Sequence, residues 1–332
     1  MSVRIAEQIS TEILRGISQL EDIAEEWELL WRNDATSTPF QSPQWLIPWW
    51  RHFGQGDLRV LAIRKQQKLR ALLPFYLHEN TLLMMGLGIS DYLDVLSTNG
   101  EETLLAVKQF LLDTRHEWKV CDFQQLRSES LLLKLGMPPD FQSSVYPLEP
   151  CPVLAIPENA LNLQFVPKNI RRNLHYYRQR LDKMGRVGFE CATADSREHL
   201  LQAWIALHAS RWHSRGGNGV LEGDAIARFH AEASAGLLEA GVLRLYALKL
   251  NGEVIGAFMG FHHAARAYYY LGGFNPAFAA FSPGALLIGH ALEQAVCAGA
   301  RAFDFLRGCE SYKYAWGAAD EIMFGRQINL HV

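Results

Sequence analysis

Four residues near the C-terminal end of the sequence have side chains suited to acid–base chemistry. Asp304 lies in a short apolar run, 302–305, and Glu310 follows after a glycine. Either carboxylate is a candidate general base that takes a proton from an attacking amine or hydroxyl. Tyr312 is a candidate proton donor to a leaving thiolate, and Lys313 a candidate partner for an oxyanion or a substrate carboxylate. The alternatives are a structural ion pair for Asp304, with Arg307, Lys313 or Arg326 as partner, and core packing for the aromatic residues of 312–316.

A second candidate site is the helix start at Ser282-Pro283-Gly284, flanked by Phe281 and Ala285. Serine is a preferred N-cap residue, and proline fits the first helical position. Gly284 removes a side chain where a backbone would have to approach a ligand. The unpaired N–H groups and the positive dipole end of such a helix suit a pyrophosphate. From the residues alone, ordinary helix capping without a ligand is the favoured interpretation.

Seven basic residues fall within 168–186, with only Asp182 opposing them. Apolar residues there recur at spacings of four and three, which predicts an amphipathic helix. We expect either an anionic partner, namely a coenzyme phosphate, an anionic glycan intermediate, tRNA or a membrane surface, or a solvated face directed at the acidic first half. The candidate anion- and substrate-binding residues are Arg171, Arg172, Arg178, Arg307 and Trp212.

Composition narrows the class of protein further. The chain has 332 residues, 49% hydrophobic and 20% charged, which is typical of a folded protein of two domains. Its net charge of −3 is split into −6 over 1–157 and +3 over 158–332. The 12 histidines and five cysteines show no metal-ligand spacing, so no metal site and no disulfide framework are expected. With no apolar leader and no apolar run of membrane-spanning length, we expect a cytoplasmic protein.

The sequence also contains an internal repeat. Residues 58–64 read LRVLAIR and residues 243–249 read LRLYALK, 185 positions apart. In each half three strand-like runs (58–65, 69–78 and 82–87; 242–250, 253–263 and 267–272) predict an antiparallel meander. A helix follows (101–118; 283–298), and then a strand containing Asp-Phe, at Asp122 and at Asp304. We therefore predict a tandem duplication, with domains 1–157 and 158–332. Because Asp122 repeats Asp304 in the first copy, Glu310 is the preferred base.

The order of helices, meander, helix and strand resembles the GNAT acyltransferase fold, and two such units resemble the Fem-type aminoacyltransferases. Several segments of the sequence are similar to the CelD-like acetyltransferase family, found with bacterial polysaccharide (cellulose) synthesis genes. The segments that carry this similarity are Thr38-Pro39-Phe40-Gln41-Ser42-Pro43-Gln44-Trp45, Ser90-Asp91-Tyr92-Leu93-Asp94, Arg211-Trp212, Ser282-Pro283-Gly284, and Phe303-Asp304-Phe305-Leu306-Arg307-Gly308 with Glu310, Tyr312-Lys313 and Trp316-Gly317.

The resemblance implies an α/β (α+β) protein of two tandem GNAT-like domains, each a mixed, mainly antiparallel sheet flanked by helices. It implies transfer of an acyl group, most simply acetyl, from acyl-CoA to an amine or hydroxyl, with a glycan-linked acceptor. The turn before the helix at Ser282 would hold the pyrophosphate of the donor, and the first copy would be non-catalytic. Two alternatives stay open: a Fem-type enzyme that uses aminoacyl-tRNA, and a non-enzymatic scaffold of a polysaccharide assembly.

Overall fold

The computed structural model describes residues 9–213 and 221–330, without the side chains of residues 212 and 213. The chain divides into two compact units. The first unit contains the chain up to Glu149 together with the stretch from Ile322 onward, and the second unit is Pro150–Glu321. A strand near the middle of the chain and the last strand therefore each contribute residues to both units. The assignment of a catalytic and a non-catalytic role to domains 1–157 and 158–332 stays a prediction.

The helices and strands follow one another along the chain in this order. As far as the middle strand they are β1 (Ile9–Leu14), α1 (Ile17–Asp22), α2 (Ala24–Asn33), α3 (Pro43–Phe53), β2 (Asp57–Leu58), β3 (Val60–Lys65), β4 (Lys68–Leu73), β5 (Phe75–His78), β6 (Thr81–Met84), β7 (Leu96–Ser97), α4 (Gly100–Asp113), β8 (Val120–Arg127) and β9 (Phe141–Ala155). The remainder are α5 (Lys168–Asp182), β10 (Val187–Cys191), α6 (Arg197–His213), α7 (Asp224–Glu239), β11 (Leu243–Leu250), β12 (Glu253–His263), β13 (Arg266–Phe274), α8 (Pro283–Cys297), β14 (Ala302–Asp304), α9 (Ser311–Ala315) and β15 (Ala319–Leu330).

The second unit is built on a meander of β11, β12 and β13. The turn at Asn251-Gly252 has positive φ at both residues, as the sequence predicts for a two-residue hairpin. Strand β10 adds antiparallel to β11. Strand β14, which follows α8, pairs in parallel with β13, and the 153–155 end of β9 pairs antiparallel with β14. The predicted helix 283–298 and strand 302–305 thus agree with the observed elements to within one residue.

The first unit repeats the order of meander, helix and parallel strand, but its meander is divided between two sheets. Its meander is interrupted at Pro74, so that β3 and β4 lie in a small sheet with β1 and β7, while β2, β5 and β6 lie in another. Proline lacks the N–H that a continuous ladder would need, so the predicted strand 69–78 is two strands. Helix α4 ends at Asp113 instead of the predicted Trp118. Strand β8 then pairs in parallel with β6, as β14 does with β13.

The strand beside the parallel pair comes from a different part of the chain in each unit. In the first unit β15, from the end of the described chain, pairs antiparallel with β8. In the second unit it is β9, from the middle of the chain, that pairs with β14. Each unit therefore has its own hydrophobic core and a sheet completed by a distant segment. Of the helices in the described residues, none combines the length and the apolar character needed to cross a bilayer.

Candidate active site

Strands β13 and β14 separate where the second unit opens to a cavity. They pair at three positions, Arg266 with Ala302 through Tyr268 with Asp304. Strand β14 ends there, while β13 continues to Phe274. In the ladders recorded for the described chain, β13 pairs from residue 269 onward with β12 alone. A parallel pair that separates in this way leaves one edge of β13 facing the start of α8.

A cavity of about 380 Å³ lies beside this edge. The first turn of α8, the inner face of α5, the end of β13 and α9 all contribute to its wall. Three sets of residues matter for its chemistry: the predicted donor-binding residues Ser282, Gly284 and Ala285, the aromatic residues Tyr177, Tyr269, Phe274, Tyr312 and Trp316, and the cation Arg211. The structure thus brings most of the predicted coenzyme residues together with one of the predicted catalytic residues.

The start of α8 differs in detail from the predicted cap. Ser282 adopts a left-handed backbone conformation, with φ of 46°, and its side chain makes no capping hydrogen bond. The first turn contains no acidic residue. A Cβ atom added to Gly284 would meet only the ring of Phe274, at 3.9 Å. Since the first N–H groups of a helix have no partner within it, this turn presents backbone donors to an open cavity.

The equivalent turn of the first unit is closed. Asn99 caps α4 by accepting a hydrogen bond from the Glu102 N–H at 3.3 Å, and Glu101 and Glu102 place carboxylates in the first turn. A Cβ atom added to Gly100 would lie 2.9 Å from a methyl group of Leu131. Carboxylates and an apolar side chain therefore occupy the place that an anionic donor would need.

Arg211, at the end of α6, supplies a positive charge to the cavity wall. Its guanidinium donates to the Gly272 carbonyl oxygen at 3.1 Å and lies over the ring of Phe274, 5.3 Å from the ring centre. Sequence reasoning noted Arg211 as part of a family motif and assigned it no role. Its neighbourhood depends on contacts 61 residues away along the chain, which no local pattern reports.

Tyr269 and Tyr312 form an edge-to-face pair in the same cavity, with ring centres 6.5 Å apart. Burial raises the pKa of both phenols above the usual value. For Tyr312 the neighbouring Tyr269 and the charge of Glu310 raise the pKa further. A phenol in this environment stays protonated at neutral pH, so it can donate a proton to a leaving group. The sequence motifs indicate this role for Tyr312 and not for Tyr269.

Asp304 is part of a buried ion pair. Its side chain is inaccessible to solvent, one carboxylate oxygen lies 2.9 Å from the Arg266 guanidinium, and the other accepts the Leu306 N–H at 2.8 Å. Arg266 also binds Glu321 through two hydrogen bonds of 3.0 Å. The sequence indicated Arg307, Lys313 or Arg326 as possible partners, and it did not indicate Arg266, which the parallel register brings alongside β14. The geometry favours the structural role over that of general base.

The side chain of Lys313 also has a structural role. Only 3% of its side chain is exposed, and its ammonium group donates to the carbonyl oxygens of Leu306, Arg307 and Gly308 at 3.0, 2.7 and 3.1 Å. An ammonium group has three protons, so the three carbonyl bonds account for its donors, and Glu310 at 2.9 Å adds an ion pair. Lys313 therefore closes the turn after β14, in place of the predicted contact with an oxyanion.

Glu310 remains the carboxylate that borders the tyrosine pair. Its side chain is 57% exposed and contacts the Lys313 ammonium. Its negative charge is one of the causes that raise the pKa of Tyr269 and of Tyr312, and it lies two residues before Tyr312 in the chain. An exposed carboxylate can accept a proton and pass it to water.

The other predicted binding residues lie apart from this cavity. Arg171 and Arg178 line a second cavity, on another face of α5, while Arg172 points to solvent. Phe281 packs beneath the Arg180 guanidinium, which lies 4.7 Å from its ring centre. Arg307 is half-buried. The side chain of Trp212 lies outside the described part of the structure.

Comparison with known proteins agrees with this architecture. Residues 168–314 match the model of the acetyltransferase (GNAT) domain. The crystal structure of FemX superposes with a TM-score of 0.63 and 11% identity, over 91% of this chain and 95% of that one. The C-terminal domain of a putative lysylphosphatidylglycerol synthetase from Agrobacterium fabrum gives 0.60 and 13%, over 93% and 92%. L-PGS from Bacillus licheniformis gives 0.58 and 14%, over 95% and 91%. No protein of curated function matches significantly in sequence.

The chain therefore has the fold of the GNAT acyltransferases, and the predicted fold class is confirmed. The family match covers the unit in which the open helix start and the tyrosine pair lie. At these identities the structural similarity establishes the fold alone.

Proposed function

We propose that the protein transfers an acyl group, most simply acetyl, from acyl-CoA to an amine or a hydroxyl. The observation that carries the proposal is the open first turn of α8, which faces a cavity containing a cation and two protonated tyrosines. The acetyltransferase (GNAT) domain match over 168–314 supports the same reaction class. The closed first turn of α4 supports a single donor site, in the second unit.

The donor pyrophosphate would bind the backbone N–H groups at the start of α8, with no side chain in the way at Gly284. Arg211 would add a charge-assisted contact to an oxygen of the donor. The aromatic wall formed by Tyr177, Tyr269 and Trp316 suits the apolar part of an acyl chain and its thioester. The acceptor would enter from the side of Glu310.

The reaction then needs a proton acceptor and a proton donor. The acceptor nitrogen or oxygen attacks the carbonyl carbon, the carbon–sulfur bond breaks, and the acyl group moves to the acceptor. Glu310 would take the proton of the attacking group, and Tyr312 would give its proton to the departing thiolate. Orientation of donor and acceptor in the cavity would supply most of the rate enhancement.

Substitution of Gly284 by valine tests the donor site. A side chain there would project into the cavity, so we expect Gly284→Val to weaken acetyl-CoA binding at least tenfold in calorimetric titration. The fold should be retained, because the site has room and the two residues differ by no more than about 0.5 kcal/mol in helix propensity.

Gly188→Val is the matched control, since that glycine also has ordinary φ, open surroundings and a place in the second unit. It should bind acetyl-CoA like the wild type. Gly100→Val is unsuitable because Leu131 would clash with the new side chain. Equal affinity of wild type and Gly284→Val would contradict the proposal.

The finer assignment to a CelD-like role, with a glycan-linked acceptor in polysaccharide biosynthesis, is part of the proposal and is supported by the sequence motifs alone. A second candidate is aminoacyl transfer from aminoacyl-tRNA, favoured by the similarity to FemX and by the exposed Lys168 and Arg172 on α5 and Lys183 directly after it. Binding to tRNA should then weaken steeply with salt in a gel-shift titration. Absence of binding at low salt would eliminate this candidate.

A further inference from the structure

A second cavity lies between α5 and α8 in the second unit, and the reaction proposed above does not use it. Its volume is about 480 Å³, which is within the range of small-molecule sites. We call it the α5–α8 cleft. The residues that matter here are Asn162, Gln164, Arg171, Phe189, His290 and Glu293.

Arg171 presents a positive charge on the α5 side of the cleft. Its Nε donates to the Val166 carbonyl oxygen at 3.1 Å, which fixes the plane of the guanidinium. Within the described chain no carboxylate forms an ion pair with it. The neighbouring Arg178 differs, because it bonds to Asp182 at 3.0 Å and to the Val187 carbonyl oxygen at 3.1 Å. Arg171 is therefore the cation in the cleft that is available to a ligand.

Glu293 presents a negative charge on the α8 side. Its carboxylate makes no hydrogen bond or ion pair with any described residue, and partial burial raises its pKa. It lies seven residues after Leu286 and three after His290, so all three are on one stripe of α8 that faces the cleft. Arg171 and Glu293 thus line one cavity from two helices without pairing with each other.

An aromatic and apolar surface completes the wall. The rings of Phe189 and His290 are stacked with their centres 4.1 Å apart and their planes within 4°. Burial lowers the pKa of His290, so this imidazole is neutral at neutral pH and behaves as a flat, weakly polar ring. Leu286 and the backbone of Gly289 extend the apolar surface. Leu174 of α5 fills the space over Gly289 and lines both this cleft and the active-site cavity.

We propose that the α5–α8 cleft is a binding site for an amphoteric small molecule, with an anionic group at Arg171, an amino group at Glu293 and an aromatic side group against Phe189 and His290. Opposite charges held apart across a cavity match a ligand that carries both charges. The site is separate from the donor site, so the inference does not depend on the proposed reaction.

Three probes that share one ring test this site by calorimetric titration. L-Phenylalanine carries both charges, 2-phenylethylamine carries only the amine, and 3-phenylpropionate carries only the carboxylate. We expect phenylalanine to bind, and each single-charge analogue to bind about tenfold more weakly or worse, since each loses a charge-assisted contact. Equal affinity for the three probes, or no binding of phenylalanine, would overturn the proposal.

Two substitutions connect the charges to their residues. Arg171→Met should remove the preference for phenylalanine over phenylethylamine, and Glu293→Gln should remove the preference over phenylpropionate. Arg172→Met is the matched control, because this neighbouring arginine is exposed and lies outside the cleft, and it should leave all three affinities unchanged. Unchanged preferences in both cleft variants would show that binding occurs elsewhere.

Acetyl-CoA titrated into the same variants keeps the two proposals distinguishable. Arg171→Met and Glu293→Gln should bind acetyl-CoA like the wild type, while Gly284→Val should retain phenylalanine binding. Loss of phenylalanine binding in Gly284→Val would show that the probe occupies the donor cavity, and the cleft proposal would fail.

Discussion

Replacement of Lys313 by methionine distinguishes a structural lysine from one that acts on the substrate. The ammonium group is buried and donates to three successive carbonyl oxygens in the turn 306–308. Methionine keeps most of the aliphatic chain and removes the donors. Each lost hydrogen bond to a buried carbonyl costs about 1 kcal/mol or somewhat more, so we expect the free energy of unfolding to fall by about 3–4 kcal/mol.

Denaturation in urea, followed by tryptophan fluorescence, measures this change. Trp316 is buried three residues after Lys313 and adds a local reporter. Glu310→Gln is the matched control: it removes the exposed ion partner of the same ammonium, and it should lower stability by no more than about 1 kcal/mol. A loss of less than about 1 kcal/mol in Lys313→Met would refute the structural role. Unchanged stability with a large decrease in the rate of acyl transfer would instead indicate that Lys313 acts in the reaction.

Three further outcomes are expected. Burial holds the pKa of His230 at about 4, below the unfolded value near 6.5, so the stabilisation from its neutral form is complete above pH 6.5 and is lost as pH falls toward 4. We expect the free energy of unfolding to change by about 3 kcal/mol across that pH range because of His230. In denaturation curves, His230→Asn should remove this part of the pH dependence. Arg266→Met should lower the free energy of unfolding, measured in urea, by about 3–5 kcal/mol, because the buried Asp304 carboxylate loses its ion pair with Arg266. Adding Asp304→Asn should restore part of this stability. Tyr312→Phe should lower turnover about 100-fold, measured as thiol release, with acetyl-CoA affinity unchanged.

Much of the second unit could be predicted because its signals are local. The Asn251-Gly252 turn, the apolar strand-like runs of β11–β13 and the Ser282-Pro283 helix start are each indicated by a few neighbouring residues. The same reasoning found Gly284 and Tyr312, which lie in one cavity. In the first unit, Pro74 is the local signal that divides the predicted strand 69–78 into two.

The rest depends on contacts between distant parts of the chain. The pairing of β9 with β14 and of β15 with β8 follows no pattern within either strand. The partner of Asp304 is 38 residues away and is set by the register of β13 against β14. Sequence can indicate that a buried carboxylate needs a cation, but it cannot choose among several arginines before the register is known. The position of Arg211 in its cavity likewise depends on a contact with a distant residue, Gly272.

The two units share an order of elements but differ at the helix start that we propose as the donor site. Both have a helix that leads into a strand parallel to the third strand of the meander, so both place a helix N-terminus at the same point of the frame. The frame alone therefore does not make a site. What differs is the content of the first turn: carboxylates and Leu131 at α4, and an open glycine with no acidic neighbour at α8. An anion needs both unpaired N–H groups and room to approach them, and only the start of α8 among these two helices provides both.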